Sequence, residues 1–239
     1  MTLKAVLFDF NGTIINDEAI HATLIQDLLL AENLRPDGTD YQHCCLGRSD
    51  RACLRDLLRQ RGRIVSDQYL NQLLERKRQA YLAKISALDK LPIYPGVTEF
   101  IHKLQGASLL LGVVTGAGRE EVEMVLGRSQ LAPAFSVIVT GDDIPTSKPD
   151  PLGYLLAVER LQRQFSDRPI EPHHCLAIED SLVGIEAAKN AGMQVVGVAQ
   201  TYPFHMLQRQ ANWTVDRFTE LELERVEAVF ARRDLESPV

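Results

Sequence analysis

Four short polar segments carry residue types that could do chemistry together: Asp9-Phe10-Asn11-Gly12-Thr13, Thr115-Gly116, Thr146-Ser147-Lys148-Pro149-Asp150-Pro151 and Glu179-Asp180-Ser181. Two or three carboxylates converging on one place repel each other unless a cation neutralises them. Carboxylate oxygens are hard donors, and with no Cys or His among them they suit Mg²⁺. Lys148, the Thr115 hydroxyl and nearby helix N-termini supply donors for a dianionic phosphate. A carboxylate nucleophile, Mg²⁺ and a phosphate clamp together imply phosphoryl transfer through an aspartyl-phosphate. Taken singly, each segment has an ordinary reading: a Lys before Pro is usually solvated, and Glu-Asp before a helix is usually an N-cap. As an ordered set they point to one site.

That set requires elements that bring the segments to one edge, and the apolar pattern provides them. Leu3–Phe8 is a short continuous apolar run, the pattern of a strand buried on both faces. Leu109–Val114, Val137–Val139, Cys175–Ile178 and Val195–Val198 are four more, each followed by polar or glycine-rich residues and then a helical stretch. Strands alternating with helices predict a parallel α/β sheet with right-handed crossovers, whose ligands bind beyond the carboxyl ends of the strands. Asp9, Thr115, Thr140–Lys148 and Glu179-Asp180 all fall at those ends. Residues 17–88 differ: Leu24, Leu28, Leu54, Leu57, Leu58, Leu70, Leu73 and Leu74 recur at helical spacing, with nothing alternating like a strand. The expected architecture is a Rossmann-like α/β core (residues 1–15 and 92–239) interrupted by an all-helical unit (residues 16–91), with at least five core strands.

Composition bounds the partners. The 239 residues are 45% hydrophobic and 24% charged, with a formal charge of −6. A general nucleic-acid binder normally carries a basic face, so none is expected here. The Arg76-Lys77-Arg78 cluster reads most simply as a solvated helix face. No apolar run approaches the roughly 18 residues of a membrane span, and Met1–Lys4 lead straight into a strand without a charged-then-apolar leader. Cys44, Cys45, Cys53 and Cys175 lack CxxC spacing, so reduced thiols in a cytoplasmic protein, monomeric or weakly dimeric, are expected.

The ordered set DxxGT, a strand-end Thr, KPDP and EDS resembles the haloacid-dehalogenase-like superfamily. The helical insertion after the first motif resembles its helical-cap members, the β-phosphoglucomutase and phosphoglycolate-phosphatase-like group, and Asn16-Asp17-Glu18-Ala19-Ile20-His21 resembles the stretch that opens their cap. The resemblance spans essentially the whole chain. It implies a phosphatase-type hydrolase of a small phosphorylated metabolite, with Asp9 as nucleophile and Mg²⁺ as cofactor. It implies Asp180, with Glu179, as a metal ligand beside Asp9 and the backbone carbonyl of Asn11. Thr115 and Gly116 would hold the phosphate and Lys148 would neutralise the nucleophile. In the cap it points to His21, Lys77 and the loop Cys45–Arg51, with Gly47 and Arg48, as the substrate side. The mutase pattern has Lys before that glycine and Arg three residues after it. This chain has Leu46 and Asp50 there, which argues against mutase chemistry.

Asn11 stands where the family keeps a second acid that protonates the leaving oxygen and then deprotonates water. An amide does not exchange protons near neutral pH, and such help is worth ~10²–10⁴-fold. Three readings stay open: a weakened or specialised phosphatase in which His21, a substrate group or water supplies the proton; a non-catalytic phosphate-binding or regulatory protein; or other superfamily chemistry, such as a phosphonatase using Lys77 as a Schiff base. On the phosphatase reading, the sequence predicts that Asn11→Asp raises turnover on simple phosphate esters by ~10²-fold or more, measured as phosphate release.

Overall fold

The computed structural model describes residues 2–236. The core elements begin with β1 (Ala5–Phe8); the helical insertion α1 (Glu18–Ala31), α2 (Asp50–Gln60) and α3 (Asp67–Ser86) follows. The chain then alternates: α4 (Val97–Gly106), β2 (Leu110–Val114), α5 (Arg119–Arg128), β3 (Val137–Val139), α6 (Leu152–Gln164), β4 (Cys175–Glu179), α7 (Leu182–Asn190), β5 (Gln194–Val198), α8 (Phe204–Leu207), β6 (Trp213–Val215) and α9 (Leu223–Glu236). All strand pairings are parallel, in the order β3-β2-β1-β4-β5-β6.

β1 lies at the centre, and its apolar run has a direct cause there. Val6 and Phe8 face the layer holding Val97, Phe100, Ile101, Val122 and Val226, whereas Ala5 and Leu7 face Tyr154, Ala157, Leu161 and Ile185. A strand covered on both faces has no polar side to display. The expected Rossmann-like α/β sheet is present, with a sixth strand beyond the five anticipated; β6 is three residues long, too short for its alternation to stand out. No strand interrupts residues 16–91.

The insertion has its own apolar cluster, where Ile25 and Leu28 of α1 meet Leu54 and Leu57 of α2 and Leu70 and Leu73 of α3. Ser49 and Ser66 cap α2 and α3 by accepting from Ala52 N and Tyr69 N, an arrangement that satisfies helix-end donors. The expectation of four reduced thiols is corrected here. Cys45 and Cys53 are joined as a disulfide with Cα atoms 4.6 Å apart, while Cys44 and Cys175 are free and buried. The turn after Cys45, closed by Arg48 N–H donating to Cys45 O at 2.8 Å, brings the first cysteine against α2, a closeness that spacing rules do not reveal. Among the described residues, no helix is long and apolar enough to cross a membrane.

The insertion closes tightly on the core. A Cβ on Gly116 would lie 2.8 Å from both Cα and N of Ser49, and one on Gly47 (φ +73°) 2.5 Å from Ser181 Oγ. The Ser49 N–H donates to Ser147 Oγ across the same seam at 2.8 Å. Gly116→Ala is therefore expected to push the two units apart while leaving each folded: helix content by circular dichroism should hold and proteolysis near residues 45–50 should accelerate. Unchanged proteolysis would mean that the seam adapts.

Candidate active site

Strand register creates the acidic centre. β1 pairs with β4 so that Phe8 lies opposite Ile178, and the Asp9 N–H donates to Ile178 O at 2.9 Å. The next residue on each strand is then an acid. Asp9, Glu179 and Asp180 are all buried, and each brings a carboxylate oxygen within 4.8 Å of the others. Lys148, from the loop after β3, places Nζ 2.5 Å from Asp9 Oδ1 and 2.6 Å from Glu179 Oε1. Glu179 also accepts from Tyr154 Oη at 2.6 Å and Ser181 Oγ at 3.2 Å. Asp180 accepts from Thr13 Oγ1 at 3.2 Å.

The charges do not balance. Burial, only partly offset by Lys148, pushes Asp9 up to about 6 with Asp180 adding to the rise. Burial lifts Glu179 to about 7, and burial with Glu179 as neighbour lifts Asp180 to about 7. Burial alone would lower Lys148; Asp9 and Glu179 overcome it and hold the ammonium above its usual range. Crowded, buried carboxylates with a single ammonium are short of positive charge, so this donor set fits a hard divalent cation.

Around Asn11 the geometry departs from expectation. The Asn11 Nδ2 donates to both carboxylate oxygens of buried Asp17, at 3.1 and 3.0 Å. Tyr81 Oη donates to the same carboxylate at 2.5 Å, and His21 Nε2 lies 3.3 Å from it. Burial would raise Asp17, yet His21, Tyr81 and Asn11 together hold it below the usual carboxylate value. Asp17 is therefore ionised. Lys77 Nζ lies 2.7 Å from His21 Nδ1; an ammonium can only donate, so Nδ1 accepts and Nε2 carries the hydrogen toward Asp17. Thr115 Oγ1 donates to Asn11 Oδ1 at 3.4 Å.

One expectation changes. Arg76-Lys77-Arg78 is not a uniformly solvated face, because Lys77 is 1% exposed. Its ammonium bonds Asp50 at 2.5 Å, with Glu121 of α5 at 3.9 Å. Burial would lower Lys77, but Asp50 and Glu121 raise it. Lys77 therefore lies in a buried charged cluster between the helical insertion and α5, next to His21 at the wall of the site.

Asp9, Asn11, Glu18, Tyr41, Arg48 and Thr115 line one small cavity of about 30 Å³, with Gly47, His21 and Gly116 also at its wall. Arg48 donates to Asp56 at 2.7 Å and to Cys44 O at 2.8 Å, which fixes its guanidinium. A larger cavity of about 310 Å³, lined by Arg51, Arg78, Glu121 and Asp142, shares Asp50 and Gly116 with the first. The small cavity lies beside Asp9 and the larger one opens beyond Gly116.

A family profile described as haloacid dehalogenase-like hydrolase matches residues 6–198. The chain belongs to that family. It is 30% identical over 210 residues to the protein CbbY of Rhodobacter capsulatus, covering 84% of this chain and 88% of that one. It is 26% identical over 216 residues to a phosphoglycolate phosphatase of Psychrobacter arcticus, covering 90% and 91%. It also superposes on the crystal structure of a CbbY variant from Rhodobacter sphaeroides in complex with xylulose-(1,5)bisphosphate with a TM-score of 0.77 at 25% identity, covering 92% and 96% of the two chains.

Sequence reasoning singled out neither Asp17, Tyr41, Tyr81 nor Glu121. Asp17 and Glu18 were legible as acids directly ahead of a helix, close to Asn11; Tyr41, Tyr81 and Glu121 arrive from distant segments and gave no local signal. The Asn11–Asp17 bond also revises the effect of Asn11→Asp, since the new carboxyl would face an ionised one. Losing this charge-assisted bond should cost roughly 1.5–3 kcal/mol, or roughly 5 °C in Tm for a chain this long. The neighbouring charge raises the folded pKa of the new carboxyl, so the loss is small near pH 4 and grows as pH rises. Exchanging the pair, Asn11→Asp with Asp17→Asn, restores one amide and one carboxylate and should recover most of the Tm. Equal Tm values for the single and exchanged variants at pH 8 would contradict the pairing.

Proposed function

We propose that this protein is a Mg²⁺-dependent phosphatase that hydrolyses a small phosphorylated metabolite through an aspartyl-phosphate on Asp9. The observation that carries this reading is the buried group Asp9, Glu179 and Asp180, with its excess of negative charge, held at the carboxyl ends of β1 and β4. Asp9, Asp180 and the backbone carbonyl of Asn11 would hold the metal, which when bound supplies charge neutralisation for the phosphoryl oxygens. Family membership and the phosphoglycolate phosphatase relative support the same class of chemistry.

This chain's own residues divide the work as follows. Lys148 holds Asp9 Oδ1, keeps it ionised and stabilises charge that develops on the phosphoryl group. Glu179, engaged by Lys148, Tyr154 and Ser181, fixes the ammonium and would stand with Asp180 at the metal. Thr115 and Gly116 border the cavity where phosphoryl oxygens would lie. Residues 16–91 act as a cap that excludes water from the reacting group. The buried, paired state of Lys77 leaves no free amine for a Schiff base, which weighs against phosphonate cleavage.

A panel of small phosphate monoesters assayed for phosphate release tests the proposal. Release that requires Mg²⁺, ceases with chelator and falls at least ~10³-fold in Asp9→Asn is expected. Asp180→Ala should weaken Mg²⁺ binding severely by calorimetry. Tight binding of phosphate esters without any turnover would instead favour a binding protein.

A further inference from the structure

We propose that Glu18 performs the proton transfers that an amide at position 11 cannot: its carboxyl protonates the departing alcohol oxygen, and its carboxylate then takes a proton from the attacking water. The inference rests on the phosphatase reading and deepens it. In the first step an Asp9 carboxylate oxygen bonds to phosphorus, the phosphorus–oxygen bond to the alcohol breaks, and the Glu18 proton moves to that oxygen. In the second step a water oxygen bonds to phosphorus, its proton returns to Glu18, and Asp9 leaves as a carboxylate with release of phosphate. Every atom and charge is accounted for without a co-reactant.

Position comes first. Glu18 opens α1 and lines the same small cavity as Asp9 and Asn11. Among the described residues it receives one side-chain hydrogen bond, from Tyr41 Oη to Oε2, so Oε1 remains available. The other groups at that cavity are committed. The Asn11 amide donates to Asp17; His21 is held between Lys77 and Asp17; Asp50 accepts from Lys77. Tyr41 donates to Glu18, and burial followed by Glu18 itself raises its phenol far above neutrality.

Electrostatics agrees with position. Burial pushes Glu18 up to about 7; Tyr41 and His21 oppose the rise, and Asp17 and Asp9 add to it. Tyr94 and Tyr202, from the core, and Asp180 also feel its charge. A carboxyl that titrates near neutrality is populated in both the acid and base forms the two steps need.

The test compares wild type with Glu18→Gln, which keeps side-chain length and an acceptor for Tyr41, on two Mg²⁺-supported substrates chosen from the ester panel. One is an alkyl phosphate, whose alkoxide needs a proton to leave; the other is 2,4-dinitrophenyl phosphate, whose phenolate leaves without one. The value of kcat/KM reports the first step. A loss of ~10²-fold or more on the alkyl ester, with little change on the dinitrophenyl ester, is expected. Equal losses on both esters, or no loss on either, would overturn the role of Glu18 while leaving the phosphatase reading intact. Failure of wild type to release phosphate from either ester would overturn both. A Tm within a few degrees of wild type separates these outcomes from misfolding.

Discussion

Three carboxylates share one buried corner because two parallel strands end there in register. The β1–β4 pairing fixes Phe8 opposite Ile178, and both chains then turn polar at the next residue. Burial of like charges is unfavourable unless something compensates. Lys148 compensates in part, reaching across from the loop beyond β3 to bridge Asp9 and Glu179. The rest of the core serves that arrangement. The apolar faces of β1 are covered on both sides, which holds the strand end, and with it the acidic corner, in place.

The second arrangement ties the helical insertion to this corner. Asp17 stands just ahead of α1 and gathers Asn11, Tyr81 and His21. From His21 the chain of contacts passes through Lys77 to Asp50 and Glu121, and so from the insertion into α5 of the core. Lys77 is the cation between Asp50 and Glu121, while Asp17 is held by hydrogen bonds from three neighbours, compensation that a buried charge requires. An amide at position 11 suits this network, because it donates to an ionised Asp17 where a carboxylate would repel it.

Much of this was readable in the residues. Continuous apolar runs such as that of β1 announced a doubly covered sheet, and the polar residue after each run announced where ligands bind. The helical periodicity of α1, α2 and α3 separated the insertion from the core. Hidden features share one physical cause: they depend on contacts distant in sequence. Lys77 looked like a surface cation because its neighbours Arg76 and Arg78 are charged; its burial follows from packing α3 against α1 and α5. Cys45 and Cys53 meet because a turn reverses the chain between them. The short β6 was overlooked because three residues carry little periodic signal. Glu18 belonged to a quoted segment, but its link to Tyr41 and its shared cavity with Asp9 emerge only from the fold.

The central claim is that Asp9 becomes covalently phosphorylated. The most direct measurement is rapid acid quench of the wild-type protein with Mg²⁺ and a turned-over phosphate ester, followed by mass spectrometry of the peptide containing Asp9. A transient, Mg²⁺-dependent phosphoryl adduct on Asp9 that builds up and decays at the pace of turnover is the predicted result. Phosphate release with no adduct on Asp9 at any quench time, or an adduct on another residue, would contradict the account.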